Sequence, residues 1–258
     1  MLARRLSRCG VVVACVDYRN WPAAAVIPGM VDDVNSGVAY VLAHAAEWGG
    51  DTARVFLSGQ SAGAHVGGLV LLAAAMAEAQ AGGGVDVEAG QEAAVVAESE
   101  TGAAPREDAC APLLPPDARP PRFAATSIAG FIGISGVYTP EDPELQRFFE
   151  HKGMDASVMH SIMGAGLTCG PPYTPSMMER ASPVAVLSAA APATRQACAL
   201  LPPILLCHGT NDNSSPRGQT AAFAAALRAA GASSVTEQYY EGKTHTVRAA
   251  IRAFCFKH

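Results

Sequence analysis

The sequence predicts an α/β domain built on a mostly parallel sheet with flanking helices. Three observations carry that expectation. Short apolar runs rich in β-branched residues, such as residues 11–16, have the composition of strands covered on both faces. Segments near helical spacing alternate with them, which is the βαβ rhythm of a parallel sheet. A serine also stands between two glycines, in Gly59-Gln60-Ser61-Ala62-Gly63, where one such run gives way to a helix-like stretch.

The elements follow in order. Residues 2–8 read as the last turns of a helix, and residues 11–16 as a buried strand. Over residues 31–48, Val34, Val38, Val41, Leu42 and Ala45 fall near helical spacing, and Gly49-Gly50 ends the pattern. Residues 54–58 are a strand and a helix starts at Ala62. From residue 77 to 121 the chain is rich in alanine, glycine, glutamate and proline and almost free of aromatics, so it buries too little apolar surface to offset ordering and is expected to be a disordered insertion. Residues 127–135, SIAGFIGIS, form the next buried strand. Residues 139–183, rich in Pro, Gly and Met, suit a cap over a pocket. The rhythm then returns, with a strand at 204–207, a turn at 209–216, a helix at 220–230, a strand at 235–240, a turn at 242–246 and a last helix at 247–254.

Composition bounds the function. The chain has 258 residues, 50% hydrophobic and 16% charged, so it buries a sizeable core as one domain spanning 1–258. Lys and Arg number 18 against 23 Asp and Glu, and the scattered positive charges lack the footprint of a nucleic-acid binder. The seven cysteines are odd in number and form no C-x-x-C pair, which reads as reduced and structural, with no metal site implied. The apolar stretch near the start is short and broken by Asp17, so it reads as a strand and not as a signal peptide. The longest apolar run, residues 66–77, is too short to span a bilayer and continues from the serine turn as a buried helix.

A strand followed tightly by a helix lifts the Ser61 hydroxyl out of the sheet, in the manner of a nucleophile elbow. A serine nucleophile needs a base to take its proton and an acid to orient that base. In the α/β-hydrolase arrangement these follow as Ser, Asp, His on loops after later strands. Asp212 stands in the turn after PPILLCHG, and His245 in the turn after EQYYEG. Each alone also reads as a turn-forming aspartate and a solvated loop histidine. Asp17 precedes Ser61 and suits a role in holding Arg19 or a neighbouring turn. His208 reads as a satisfied core histidine, and His65 as a support for the elbow. His44, His151, His160 and His258 have no partner pattern.

The segments CVDYRNWP, DDVNSGVAYV, EWGGDTARVFLSGQSAGAH, GISGVY, LPPILLCHGTND and YEGKTHT together resemble the plant-type isoprenylcysteine α-carbonyl methylesterases. These are a branch of the α/β-hydrolases close to the hormone-sensitive-lipase-like esterases. The resemblance covers most of the chain outside residues 77–121. It implies an α/β-hydrolase that removes the methyl ester from a carboxyl-terminal prenylcysteine of processed proteins, with Ser61 as nucleophile, Asp212 as acid and His245 as base, and no cofactor. It also implies a place at endoplasmic reticulum and Golgi membranes. This chain has no span of its own in that reading, so it meets the membrane through its substrate or is cytoplasmic.

Two departures follow from the resemblance. The family's amino-terminal strands, with a Gly-rich loop that donates N–H groups to the oxyanion, have no counterpart here, and neither does its amino-terminal hydrophobic region. The N–H of Ala62 is then the evident oxyanion donor. Loss of one such donor typically costs roughly 10²- to 10³-fold in turnover, so a weak catalyst is expected. The strand before the elbow is expected either to leave an open slot beside it or to close up into direct pairing. Three further readings stay open: an arylformamidase, a general carboxylesterase, or a non-catalytic binding protein. For a prenyl chain, Phe149, Met154, Met159, Ile162, Met163 and Leu167 either wall an apolar cleft or pack the cap onto the core.

Overall fold

The computed structural model describes residues 2–82, 123–165, 175–188 and 192–246. Helix α1 covers Leu2–Arg8 and α2 Val31–His44, followed by strand β1, Phe56–Gln60, and the long helix α3, Ala62–Gly82. Strand β2 is Gly130–Ile134. Five short helices come next: α4, Pro143–Glu150; α5, Ala156–His160; α6, Pro175–Arg180; α7, Pro183–Ser188; and α8, Pro192–Ala199. Strand β3, Ile204–Gly209, helix α9, Gly218–Ala229, and strand β4, Val235–Tyr240, complete the described strands and α-helices.

The four strands are all parallel and lie in the order β1-β2-β3-β4, with Leu57 beside Phe131 and Phe131 beside Ile204. Right-handed crossovers between strands laid down in one direction put every crossover helix on the same face. The core follows that rule. Phe131, Ile204 and Leu206 point into one large cluster with Val66, Val70 and Leu71 of α3 and Phe223 and Leu227 of α9. Tyr138, just past β2, stacks on Phe223 with ring centroids 4.3 Å apart. The opposite face carries only a small cluster among the described residues, Ile134 and Cys207 with Ile132, Leu205 and Tyr240 around them.

Helix α3 lies close on the sheet because Gly67 leaves room: a methyl there would meet the Phe131 ring at 3.2 Å. At 21 residues and hydropathy 1.5 this helix is long and apolar enough to cross a membrane, although the run of residues 66–77 alone is too short. Its residues from Ala64 to Leu72 are buried within the domain, as in a core helix.

Three expectations are corrected. Residues 11–16 form no strand: they lie in irregular chain, with Val11 45% and Val12 46% exposed. A β-branched run becomes a strand only beside another strand, and among the described residues this one lies instead along α2, with Val16 against Gly37. Among the described residues β1 pairs with β2 and with no other strand, and residues 11–16 do not pair directly with it. Helix α3 runs six residues into the stretch expected to be disordered, to Gly82; the rest of that stretch, the helix at 247–254, Leu167 and His258 lie outside the described residues. Arg19 is held by Asp33 through a bidentate pair with both contacts at 2.9 Å, whereas Asp17 accepts from the Tyr18 N–H.

The segment expected to cap a pocket packs down. Met159, Met163 and Met178 are buried in the main core, and Phe149, Met154 and Ile162 pack against it. Cys9, Cys15, Cys198 and Cys207 are free thiols; Cys15 is exposed and Cys207 lies buried in β3.

Candidate active site

The carboxyl ends of β1, β3 and β4 bring Ser61, Asp212 and His245 to the same edge of the sheet. Ser61 follows β1 at once, and α3 begins one residue later. Its φ of 54° lies in the left-handed region, a conformation that costs a non-glycine residue about 1–3 kcal/mol. Its N–H donates to the Ile134 carbonyl at 2.8 Å, and its own carbonyl accepts from the N–H groups of Ala64 and His65. Gly59 makes the turn sterically possible, because a methyl there would sit 2.2 Å from the Gly63 carbonyl oxygen. Gly63 itself has open space at its Cβ position. The first N–H groups of α3, beginning with Ala62, have no partner within the helix.

The same device recurs one strand over. Ser135 ends β2 at a φ of 49° and donates its N–H to the Cys207 carbonyl at 2.8 Å. Its hydroxyl is buried, without a hydrogen-bond partner among the described residues.

Asp212 has a side chain only 1% exposed. Its Oδ1 accepts from the N–H groups of Ser214 and Ser215 at 2.8 and 3.0 Å, which is the turn-forming role of an aspartate. Its Oδ2 lies 2.8 Å from His245 Nδ1 and 3.2 Å from His208 Nε2. The turn contacts fall on Oδ1, and the shortest contact to His245 falls on Oδ2. Burial alone would push this carboxyl up. The hydrogen bonds from His208, His245, Ser214 and Ser215 outweigh it and hold Asp212 well below the usual carboxylate range.

His245 Nδ1 also lies 3.1 Å from Asp212 Oδ1, so both carboxylate oxygens face one ring nitrogen. The His245 side chain is 22% exposed. Its loop is set by backbone contacts: Gly209 has no room for a Cβ beneath the Lys243 carbonyl, and Asn211 N–H donates to that carbonyl at 2.9 Å. Gln60, the residue before Ser61, donates from Nε2 to the His245 carbonyl at 3.1 Å. Among the described residues no hydrogen bond joins the Ser61 hydroxyl to the His245 ring. Nucleophile–base contacts are often looser before substrate binds.

Two residues that sequence reasoning set aside, or left out, meet this site. His208 is fully buried and touches Asp212, and Gln60 ties the elbow to the histidine loop. The spacing His208-Gly209-Thr210-Asn211-Asp212 held the signal for the first, since a tight turn after a strand folds the fourth residue back onto the strand's end. The His65 N–H makes the helical backbone bond to the Ser61 carbonyl, and its ring reaches the Ala181 carbonyl. Burial pushes the His65 imidazole down to about 4, against the raising effect of that carbonyl. His44 and His151 bond the carbonyls of Tyr40 and Arg147 in their own helices and take no part.

An open cleft of about 730 Å³ flanks the acid, lined by Phe148 of α4, Asp212, Arg217 and Tyr239 among others, and it touches neither Ser61 nor His245. Lys152 crosses beside it, donating to the Asn213 carbonyl at 2.7 Å while its ammonium lies 4.3 Å from the Phe148 ring centroid.

The family model BD-FAE matches residues 1–227. A probable isoprenylcysteine alpha-carbonyl methylesterase of Oryza sativa subsp. japonica is 33% identical over 246 residues, covering 95% of this chain and 46% of that protein. The esterase LipQ of Mycobacterium tuberculosis is 24% identical over 235 residues, 91% of this chain and 42% of that one. The chain thus spans about half the length of the curated relatives it matches. Among solved structures, carboxyl esterase 2 of Tuber melanosporum superposes with a TM-score of 0.60 at 16% identity, covering 99% of this chain and 68% of that one. A Pyrobaculum calidifontis esterase gives 0.60 at 18% identity, over 98% and 68%. The expected α/β-hydrolase fold is the fold these structures share with the chain.

Proposed function

The chain belongs to the BD-FAE family of α/β-hydrolases, and from that premise we propose that it is a serine carboxylic-ester hydrolase with Ser61 as nucleophile, His245 as base and Asp212 as orienting acid. The observation that carries this reading is the pairing of His245 Nδ1 with both oxygens of a buried carboxylate, on a loop that Gln60 ties to the elbow.

Ser61 Oγ attacks the ester carbonyl as His245 Nε2 takes its proton, and Asp212 keeps the Nδ1–H tautomer and stabilises the imidazolium. The oxyanion forms against the N–H of Ala62 at the start of α3, where the helix dipole also favours negative charge. His245 then protonates the leaving alcohol, and a water activated by the same imidazole resolves the acyl-enzyme. The route uses side chains, backbone and water alone.

The finer reading is that the ester is the methyl ester of a carboxyl-terminal prenylcysteine, so that methanol leaves and the substrate brings the enzyme to endoplasmic reticulum and Golgi membranes. The names of the plant relatives support it. A general carboxylesterase is the second reading, favoured by the packing of Met159, Met163 and Met178 into the core, where they are unavailable to a prenyl chain. Turnover of farnesylcysteine methyl ester, N-formylkynurenine and p-nitrophenyl acetate is the test. A kcat/KM on the prenylated ester well above the other two supports the finer reading, and a preference for the short acyl ester sinks it.

A further inference from the structure

The imidazole of His208 is fully buried at the end of β3, and its contacts define it closely. Nε2 lies 3.1 Å from the Ser215 carbonyl oxygen and 3.2 Å from Asp212 Oδ2, while Nδ1 lies 2.8 Å from the Thr220 hydroxyl on α9. Both groups at Nε2 only accept, so this nitrogen carries the proton. The hydroxyl of Thr220 lies within hydrogen-bond distance of Nδ1, so both ring nitrogens have a partner.

That arrangement bears on Asp212. One carboxylate oxygen is pinned by the N–H groups of Ser214 and Ser215, and the other is touched by His208 from the strand beneath. Two anchors on opposite oxygens fix the rotation of the carboxyl plane. Neither depends on His245, whose loop is the most exposed part of the site. We propose that His208 is a positioning residue: its Nε2–H, held in line by Thr220, fixes the Asp212 carboxylate so that both oxygens meet His245 Nδ1 whether or not substrate is present. This rests on the assignment of Ser61, His245 and Asp212 given above. His208 acts through Asp212 and touches no reacting atom.

The test compares His208→Phe, which keeps the ring volume without the donor, with His208→Gln, whose amide reaches toward the same carboxylate, and with Thr220→Val. Cooperative thermal unfolding checks that each full-length variant is folded. In His208→Phe, kcat on p-nitrophenyl acetate falls by about 10²-fold with KM within about two-fold, the scale of a catalytic group misplaced by about 1 Å. His208→Gln restores most of it, and Thr220→Val falls between and serves alone if the phenylalanine variant does not fold. A readout independent of turnover is the low-field proton resonance of His245 Nδ1–H, present in wild type and His208→Gln and broadened away in His208→Phe.

A folded His208→Phe or Thr220→Val with wild-type kcat and an unchanged resonance overturns the proposal, as does a wild type that lacks the resonance. A wild type without esterase turnover, whose His245 resonance still depends on His208, contradicts the hydrolase reading and leaves the positioning role standing.

Discussion

Gln60 Nε2 and the carbonyl oxygen of His245, 185 residues apart in sequence, are joined by a hydrogen bond of 3.1 Å. The bond ties the elbow to the loop that carries His245, the proposed base. Gln60→Ala removes a bond worth about 1 kcal/mol, and a loosening of that size lowers kcat by about five-fold with KM nearly unchanged. Amide hydrogen exchange at residues 241–246 rises in parallel. Faster exchange without any kinetic effect would show that the bond holds the loop and leaves the base where it was.

The two glycines that flank the serine behave differently when replaced by alanine. A Cβ on Gly59 collides with the Gly63 carbonyl and the Ala64 nitrogen, both backbone, so Gly59→Ala distorts the elbow and destabilises the fold by several kcal/mol. A Cβ on Gly63 meets nothing within 4 Å, and this residue lies in α3, so Gly63→Ala stabilises by up to about 1 kcal/mol. Urea unfolding of the two variants separates them, and equal losses would contradict the geometry.

Much of this fold was legible because local signals and tertiary contacts agree. Strand β4 falls on residues 235–240, as its flanking turns indicate, and α3 starts at Ala62 because a strand, a positive φ and an apolar helix follow one another without a gap. The pairing of Asp212 with His245 was legible from chain order and the turns after two strands. Residues 11–16 were misread because a β-branched run states a preference for a sheet and cannot say whether a partner strand lies beside it. His208 is the satisfied core histidine that its place in the sequence indicated, but its contact with Asp212 was not legible because it depends on how the turn after β3 folds back. The methionines of the expected cap went into the core since apolar spacing alone does not distinguish a cleft wall from a buried face.

His65 makes part of the stability depend on pH. Its folded value, about 4, lies below the ordinary value of 6.5, so the unfolded chain binds more protons between these limits. Stability from this group is fully present above about pH 6.5 and is lost as pH falls through 4, by on the order of 3 kcal/mol for a fully buried ring. Unfolding free energy measured from pH 7 to 4 declines in wild type, and His65→Gln flattens that decline. A slope indifferent to the substitution would place the titration elsewhere.

Asp212 behaves in the opposite sense. Its carboxyl is held well below the ordinary range, so the stability it contributes is present above the unfolded carboxylate value and is lost only as pH falls through the lower folded one. It stays ionised wherever the protein works, so Asp212 adds no proton to the acid limb of the pH–rate profile, which has unit slope. Asp212→Asn removes the charge that stabilises the imidazolium and lowers kcat by about 10⁴-fold. A profile with a second proton on its acid limb contradicts this ordering.

The central claim is that Ser61 is an activated nucleophile, and intact-mass analysis after treatment with a fluorophosphonate tests it most directly. The folded chain gains one phosphonate adduct, peptide mapping places it on Ser61, Ser61→Ala abolishes it, and His245→Ala slows it by orders of magnitude; esterase turnover falls with it, by a factor on the order of 10⁶ for Ser61→Ala. A cooperatively folded wild type that takes up no adduct at Ser61, or a Ser61→Ala variant that keeps wild-type esterase turnover, contradicts the claim.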